Sequence, residues 1–193
     1  ATEIPRPDAC TLQVVPARLR QIVTPGILNQ QNTAYVLQFL DAAITMCREG
    51  YADALTTAPL QKSVINEAGI SFSGHTEYLA EQTTAGVRPV MLLASEKLRI
   101  ALVTTHMSLR QVADQVSRRP VLHTIKTVAL ALQNDFGIEH PAIAVCGLNP
   151  HAGENGHFGR EEIDAIEPAI ADSRTDNINV DGPLPADTAF TPA

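Results

Sequence analysis

Two histidines stand directly behind apolar runs: Thr104-Thr105-His106 follows residues 98–103, and Asn149-Pro150-His151 follows residues 142–148. Ligands in open α/β sheets collect at the carboxyl ends of strands. A neutral imidazole there is a natural ligand for a divalent cation, and a sheet brings such residues together across long sequence gaps. A second reading fits the same residues. His106 can cap a helix beginning near Ser108, and His151 can fill a loop that carries glycine. Catalytic metal sites use three protein ligands as a rule, so a third donor is also required.

Gly74-His75-Thr76-Glu77 is the third polar loop, in which His75 and Thr76 can donate hydrogen bonds to an anionic substrate beside a helix N-terminus. The alternative is a plain cap by Thr76. Lys62 falls in the first turn of a predicted helix, a poor place for a cation unless an acid or a substrate compensates. Catalysis and solvation both remain open for it. His157, six residues after His151, is either a further ligand or part of a loop flanked by Gly156 and Gly159; His123 and His140 read as structural. Cys10, Cys47 and Cys146 lack CxxC spacing and read as reduced thiols. Cys146 as a nucleophile is disfavoured, because an apolar strand raises a thiol pKa.

The elements that must position these residues alternate. Val36, Leu40, Ala43, Ile44 and Cys47 form an apolar stripe, predicting a helix over 32–49 capped by Asn32 or Thr33 and ended by Gly50. Residues 54–57 read as a short strand, and Pro59 as the first residue of a helix to Ala68, closed by Gly69. After the Gly74 loop a short helix runs to about Thr84. Residues 90–94 and 98–104 predict an antiparallel hairpin, since only Ser95, Glu96 and Lys97 part them. Ser108 and Gln111 form a capping box for a helix to Val116, and Val121, Ile125, Val128 and Leu132 mark another. Residues 142–146 predict a strand covered on both faces, and a further helix starts near Arg160 with Glu161 and Glu162 at its positive end. No closing element is evident after it. Together these predict an α/β fold around a mixed sheet.

The chain has 193 residues, 45% hydrophobic and 18% charged, enough for a sizeable core. Its net charge of -7 argues against nucleic-acid binding, which needs clustered unmatched cations. No apolar stretch approaches a membrane span, and the first ten residues lack the apolar run of a leader, so a cytoplasmic location is expected.

Gly74-His75-Thr76-Glu77, Thr104-Thr105-His106, residues 146–154 around Asn149-Pro150-His151, and Gly182-Pro183-Leu184-Pro185-Ala186-Asp187-Thr188 together resemble the 4-hydroxythreonine-4-phosphate dehydrogenases of pyridoxal phosphate synthesis. The resemblance implies a three-layer α/β/α fold like isocitrate and isopropylmalate dehydrogenases, in a homodimer with a shared active site. It implies that residues 1–24 are the edge of a first domain, that 25–193 form a central region for substrate, metal and dimer contacts, and that the rest of a two-domain enzyme is absent. The positions matching His106 and His151 bind a divalent metal (zinc, magnesium or cobalt), and those matching His75 and Thr76 bind substrate. The family's third metal histidine lies in a His-Asp-Gln-Gly motif and most of its cofactor site in a carboxy-terminal region, neither of which is found in this chain.

The activity so implied is oxidation of a phosphorylated hydroxy-amino acid at its secondary alcohol by NAD, or NADP, followed by decarboxylation, with Lys62 a candidate for proton transfer. The alternatives are a related dehydrogenase for phosphorylated threonate or erythronate or for an aromatic cis-dihydrodiol, a non-catalytic metal-binding or dimerisation module, and a metal-dependent hydrolase.

Overall fold

The structure, a computed structural model, describes residue 12, residues 14–84 and residues 86–191. Cys10 and the leader reading of the first ten residues lie outside them. The chain divides into two compact units, Ala1–Pro89 and Val90–Ala193.

In the first unit, helix α1 (Thr33–Arg48) follows a 3-10 turn at Gln30–Asn32. Its expected stripe turns inward at Leu40 and Ile44, which are buried. The expected cap does not form. The Asn32 amide instead accepts from the Gln21 N–H at 3.0 Å and donates to the Gln21 carbonyl at 3.1 Å, tying the preceding chain to the helix. Helix α2 (Lys62–Glu67) starts three residues later than Pro59 predicted, because the chain stays extended through Gln61 while Leu60 packs against Leu40, Ile65 and Phe72. No strand forms at 54–57; a strand needs a neighbour for its N–H and C=O groups, and this unit has none among its described residues. Helix α3 (His75–Thr83) completes the unit.

The second unit opens with the expected hairpin, β1 (Met91–Ala94) against β2 (Arg99–Leu102), antiparallel with Leu92 opposite Ala101. Helix α4 (Leu109–Gln115) carries the expected capping box, in which the Ser108 N–H donates to Gln111 Oε1 at 3.2 Å. Helix α5 (Arg118–Asn134) buries Val121, Ile125, Ala129 and Leu132 at helical spacing. Strand β3 (Ala142–Cys146) leads to a π-helical turn at Glu162–Ile166 and then to helix α6 (Glu167–Thr175). Strand β4 (Asn179–Leu184) returns parallel to β3.

The core of this unit is Val121 and Ile125 of α5 against Ile166, Ala169 and Ile170, with Val180 of β4 and partly buried Ile143 and Val145. Three sequence expectations change here. Ala142 and Ala144 are exposed, so β3 is covered by helices on one face and not both. The strands form two separate two-stranded sheets, one antiparallel and one parallel, rather than one mixed sheet, because no ladder joins the pairs among the described residues. Strand β4 was not anticipated, since Asp181, Gly182 and Pro183 interrupt its pattern and pairing with β3 alone creates it. No described helix is long and apolar enough to cross a membrane.

Candidate active-site residues

His151 sits on the loop between β3 and the π-turn, and its backbone is left-handed, with φ 53°. So are those of Ala152, Gly153, Glu154 and Asn155. Left-handed geometry costs an L-residue about 1–2 kcal/mol, so other contacts must hold this run. A buried carboxylate anchors the residues just before it. Glu162 Oε1 accepts from the N–H groups of Leu148 and Asn149 at 2.7 and 2.8 Å, and its Oε2 accepts from Asn149 Nδ2 at 2.9 Å. Glu161 accepts from the same amide at 2.7 Å. Burial alone would push the Glu162 carboxyl up, but the hydrogen bonds from the Asn149 side chain and backbone and from Leu148 outweigh it and hold the pKa below the ordinary value.

The turn after β4 delivers Asp187, whose Oδ2 lies 3.1 Å from His151 Nδ1. A carboxylate on Nδ1 favours the tautomer with its proton there and leaves the Nε2 lone pair outward, the arrangement common to metal-binding histidines. His151 is 57% exposed on its side chain, so Nε2 is open to a ligand. The parallel pairing of β3 with β4 is what brings the two loops side by side.

His106 follows β2 in the same unit, exposed and also left-handed with φ 53°. Ser108 is the residue that caps α4, so the capping role is not taken by His106. Both histidines thus lie past the carboxyl ends of strands in conformations that L-residues adopt at a cost, a feature that clusters at functional sites. Their donor chemistry, and the Asp187 contact in particular, fit a divalent cation. Among the described residues no three His, Cys, Asp or Glu side chains gather in a metal-binding group. His157 is exposed at the end of the left-handed turn, His123 is half-buried on α5, and His140 is exposed before Pro141. Cys47 and Cys146 are unpaired and partly buried.

The first unit holds Lys62, His75 and Thr76. His75 and Thr76 open α3, where the cap position is Gly74 and no side chain caps, so Thr76 is not spent as a cap. Asn66 of α2 fixes the approach: its amide donates to the Phe72 carbonyl at 3.0 Å and accepts from the Phe72 N–H at 2.9 Å. Phe72 is buried beneath Tyr78, with ring centroids 5.5 Å apart. Lys62 is in the first turn of α2, as expected, but as its first residue because the helix starts after Gln61, and it is exposed. A Cβ on Gly74 would lie 3.2 Å from Lys62 Nζ and 3.1 Å from Glu77 Oε2, so the glycine leaves room for a cation and an acid at the head of α3. His75 also lines an apolar cavity of about 530 Å³ with Val36, Leu40, Thr57, Pro59 and Ile65.

Asn66, Glu162 and Asp187 escaped the sequence reading. Asp187 belongs to the Gly182-Pro183-Leu184-Pro185-Ala186-Asp187-Thr188 motif, and along the sequence Glu162 marks only an acid complementing a helix dipole; nothing local marks Asn66.

Residues 2–193 match the family described as pyridoxal phosphate biosynthetic protein PdxA. The chain is 51% identical over 191 residues to a 4-hydroxythreonine-4-phosphate dehydrogenase of Pseudomonas putida, covering 98% of this chain and 57% of that protein. It is 51% identical over 184 residues to the protein of that name from Chromobacterium violaceum, covering 95% and 56%. The chain therefore spans a little over half the length of these curated relatives. Among solved structures, the Klebsiella pneumoniae 4-hydroxythreonine-4-phosphate dehydrogenase superposes with a TM-score of 0.80 at 39% identity, over 87% of this chain and 50% of that one. A terephthalate 1,2-cis-dihydrodiol dehydrogenase from Burkholderia xenovorans superposes with a TM-score of 0.64 at 32% identity, over 88% and 54%. With nearly its whole length matched and the motif histidines on strand exits, the chain belongs to the pyridoxal phosphate biosynthetic protein PdxA family.

Proposed function

We propose that the protein carrying this chain is a metal-assisted, NAD-dependent dehydrogenase that oxidises the secondary alcohol of 4-phosphooxy-threonine, the product then losing carbon dioxide, in pyridoxal phosphate synthesis. The observation that carries this reading is the His151–Asp187 contact, which orients one of the two expected metal ligands toward solvent through Nε2. The names of relatives at about half identity support the substrate.

His106 and His151 would hold the cation, with a third donor from outside the described residues. When bound, the cation supplies a Lewis acid for negative charge on the substrate oxygen, and NAD, or NADP, supplies the hydride acceptor. His75 and Thr76 would donate hydrogen bonds to the substrate at the head of α3, where the helix end favours anionic groups. Lys62 Nζ, close to Gly74, would add positive charge and is the candidate for moving a proton at the substrate oxygen. In the complete enzyme we expect the three-layer fold, a homodimer and a cytoplasmic location.

The second reading, a dihydrodiol dehydrogenase, is favoured by the Burkholderia xenovorans structure, though at lower identity and TM-score. One assay separates them. Full-length protein, with added Zn²⁺, Mg²⁺ or Co²⁺, is given NAD and each alcohol in turn, and absorbance of NADH is followed. Turnover of 4-phosphooxy-threonine that is lost in His151→Ala and on chelation supports the first reading; turnover of only the dihydrodiol, or of phosphorylated threonate or erythronate, sinks it.

A further inference from the structure

We propose that Glu162 is the positioning residue that presents His151, acting as a buried anionic clamp on the loop before it; this rests on the metal-site reading above. Glu162 is 2% exposed, although it stands on a helix whose neighbours Glu161 and Asp164 are not buried. Its acceptor capacity goes to one target. The Leu148 N–H, the Asn149 N–H and the Asn149 amide all point at it, so three donors immediately before Pro150-His151 converge on one side chain.

The surrounding chain is shaped to admit that carboxylate. A Cβ on Gly147 would come 3.0 Å from Glu162 Oε1 and 2.9 Å from Ala152 Cα, and one on Gly153 would come 2.7 Å from Oε2. Glycines thus flank the carboxylate at both ends of the His151 segment. Glu162 is also the first residue of the π-helical turn Glu162–Ile166, which inserts backbone into the helix start. Single π-turns of this kind recur at functional sites. The core needs no carboxylate here, since Ile166, Ala169 and Ile170 of the same helical run supply the apolar contacts. What the carboxylate holds is the Leu148–Asn149 segment that leads directly into Pro150-His151 and the left-handed run.

A metal ligand whose loop is released loses affinity, and removing the partner that orients such a ligand typically costs about 10–100-fold. Full-length protein is titrated with Co²⁺ alone, following the visible d–d absorption, for wild type, Glu162→Gln, Asn149→Ala, His106→Ala and His151→Ala. Glutamine keeps one acceptor for the two backbone N–H groups but turns its own NH₂ toward the Asn149 amide. The expected result is a loss of about 10–100-fold in Co²⁺ affinity and an altered d–d band in Glu162→Gln, and a smaller loss in Asn149→Ala. If Glu162→Gln does not fold, Asn149→Ala carries the test, since it leaves both backbone contacts of the carboxylate intact. Wild-type affinity and spectrum in the Glu162 and Asn149 variants, with His151→Ala impaired, would overturn the clamp and leave the metal site standing. Wild-type affinity in both histidine variants would overturn the metal reading and the clamp with it.

Discussion

Asp187 Oδ2 stands 3.1 Å from His151 Nδ1, joining the loop after β4 to the loop after β3. The pair is half exposed, so its worth to stability is small. Its consequence is chemical: it selects which imidazole nitrogen faces outward.

Asp187→Asn therefore should fold normally and bind metal more weakly. An amide can still meet Nδ1, but it does not hold the tautomer that leaves Nε2 free as a carboxylate does. We expect a loss of about 10-fold or more in Zn²⁺ affinity, measured by competition with a chromophoric chelator. Unchanged affinity would mean that His151 is oriented by something else or is no ligand.

Glu162 makes a second prediction, on acid stability. Its folded pKa lies below the unfolded value of 4.5, so its contribution is fully present above that value and is lost as pH falls through the folded one. Thermal melts of wild type should accordingly fall below about pH 4.5, where the unfolded state binds the extra proton. Glu162→Gln has no such proton to gain, so its melting profile should be lower at neutral pH and flatter in acid. Parallel profiles for the two proteins would contradict the assignment.

Gly153→Ala combines two penalties. The new methyl would sit 2.7 Å from Glu162 Oε2, and the backbone is at φ 77°, where L-residues are strained. Left-handed strain alone is worth about 1 kcal/mol, and displacing a buried carboxylate adds to it, so a loss of roughly 2 kcal/mol in urea denaturation is expected. Gly137→Ala, at φ 66° with open space around it, should show the strain without the displacement.

Asn66→Ala removes both hydrogen bonds to Phe72 and frees the segment leading to His75 and Thr76. Buried Phe72 would then hold the loop by packing alone. In the full-length enzyme KM for the phosphorylated substrate should rise by up to about 30-fold with kcat less affected, since the two lost bonds at roughly 1 kcal/mol each sum to roughly 2 kcal/mol. A change confined to kcat would argue that this loop does not bind substrate.

What the sequence determined by itself was local. The stripe of α1, the Ser108–Gln111 box, the β1–β2 hairpin with its short link and the apolar run of β3 each follow from side chains within a few positions of one another. The motif histidines were legible for the same reason, as residues abutting apolar runs. Whatever depends on a partner distant in the chain was decided by tertiary structure. Residues 54–57 are no strand for want of a neighbour, whereas Asn179–Leu184 is one despite glycine and proline, because β3 offers its edge. Asp187 reaches His151, and Glu162 reaches Asn149, only once β3, the π-turn and β4 have packed around Ile166 and Ile170. Hydrogen bonds and burial are properties of pairs, and the spacing of residues along a chain does not state which pairs will meet.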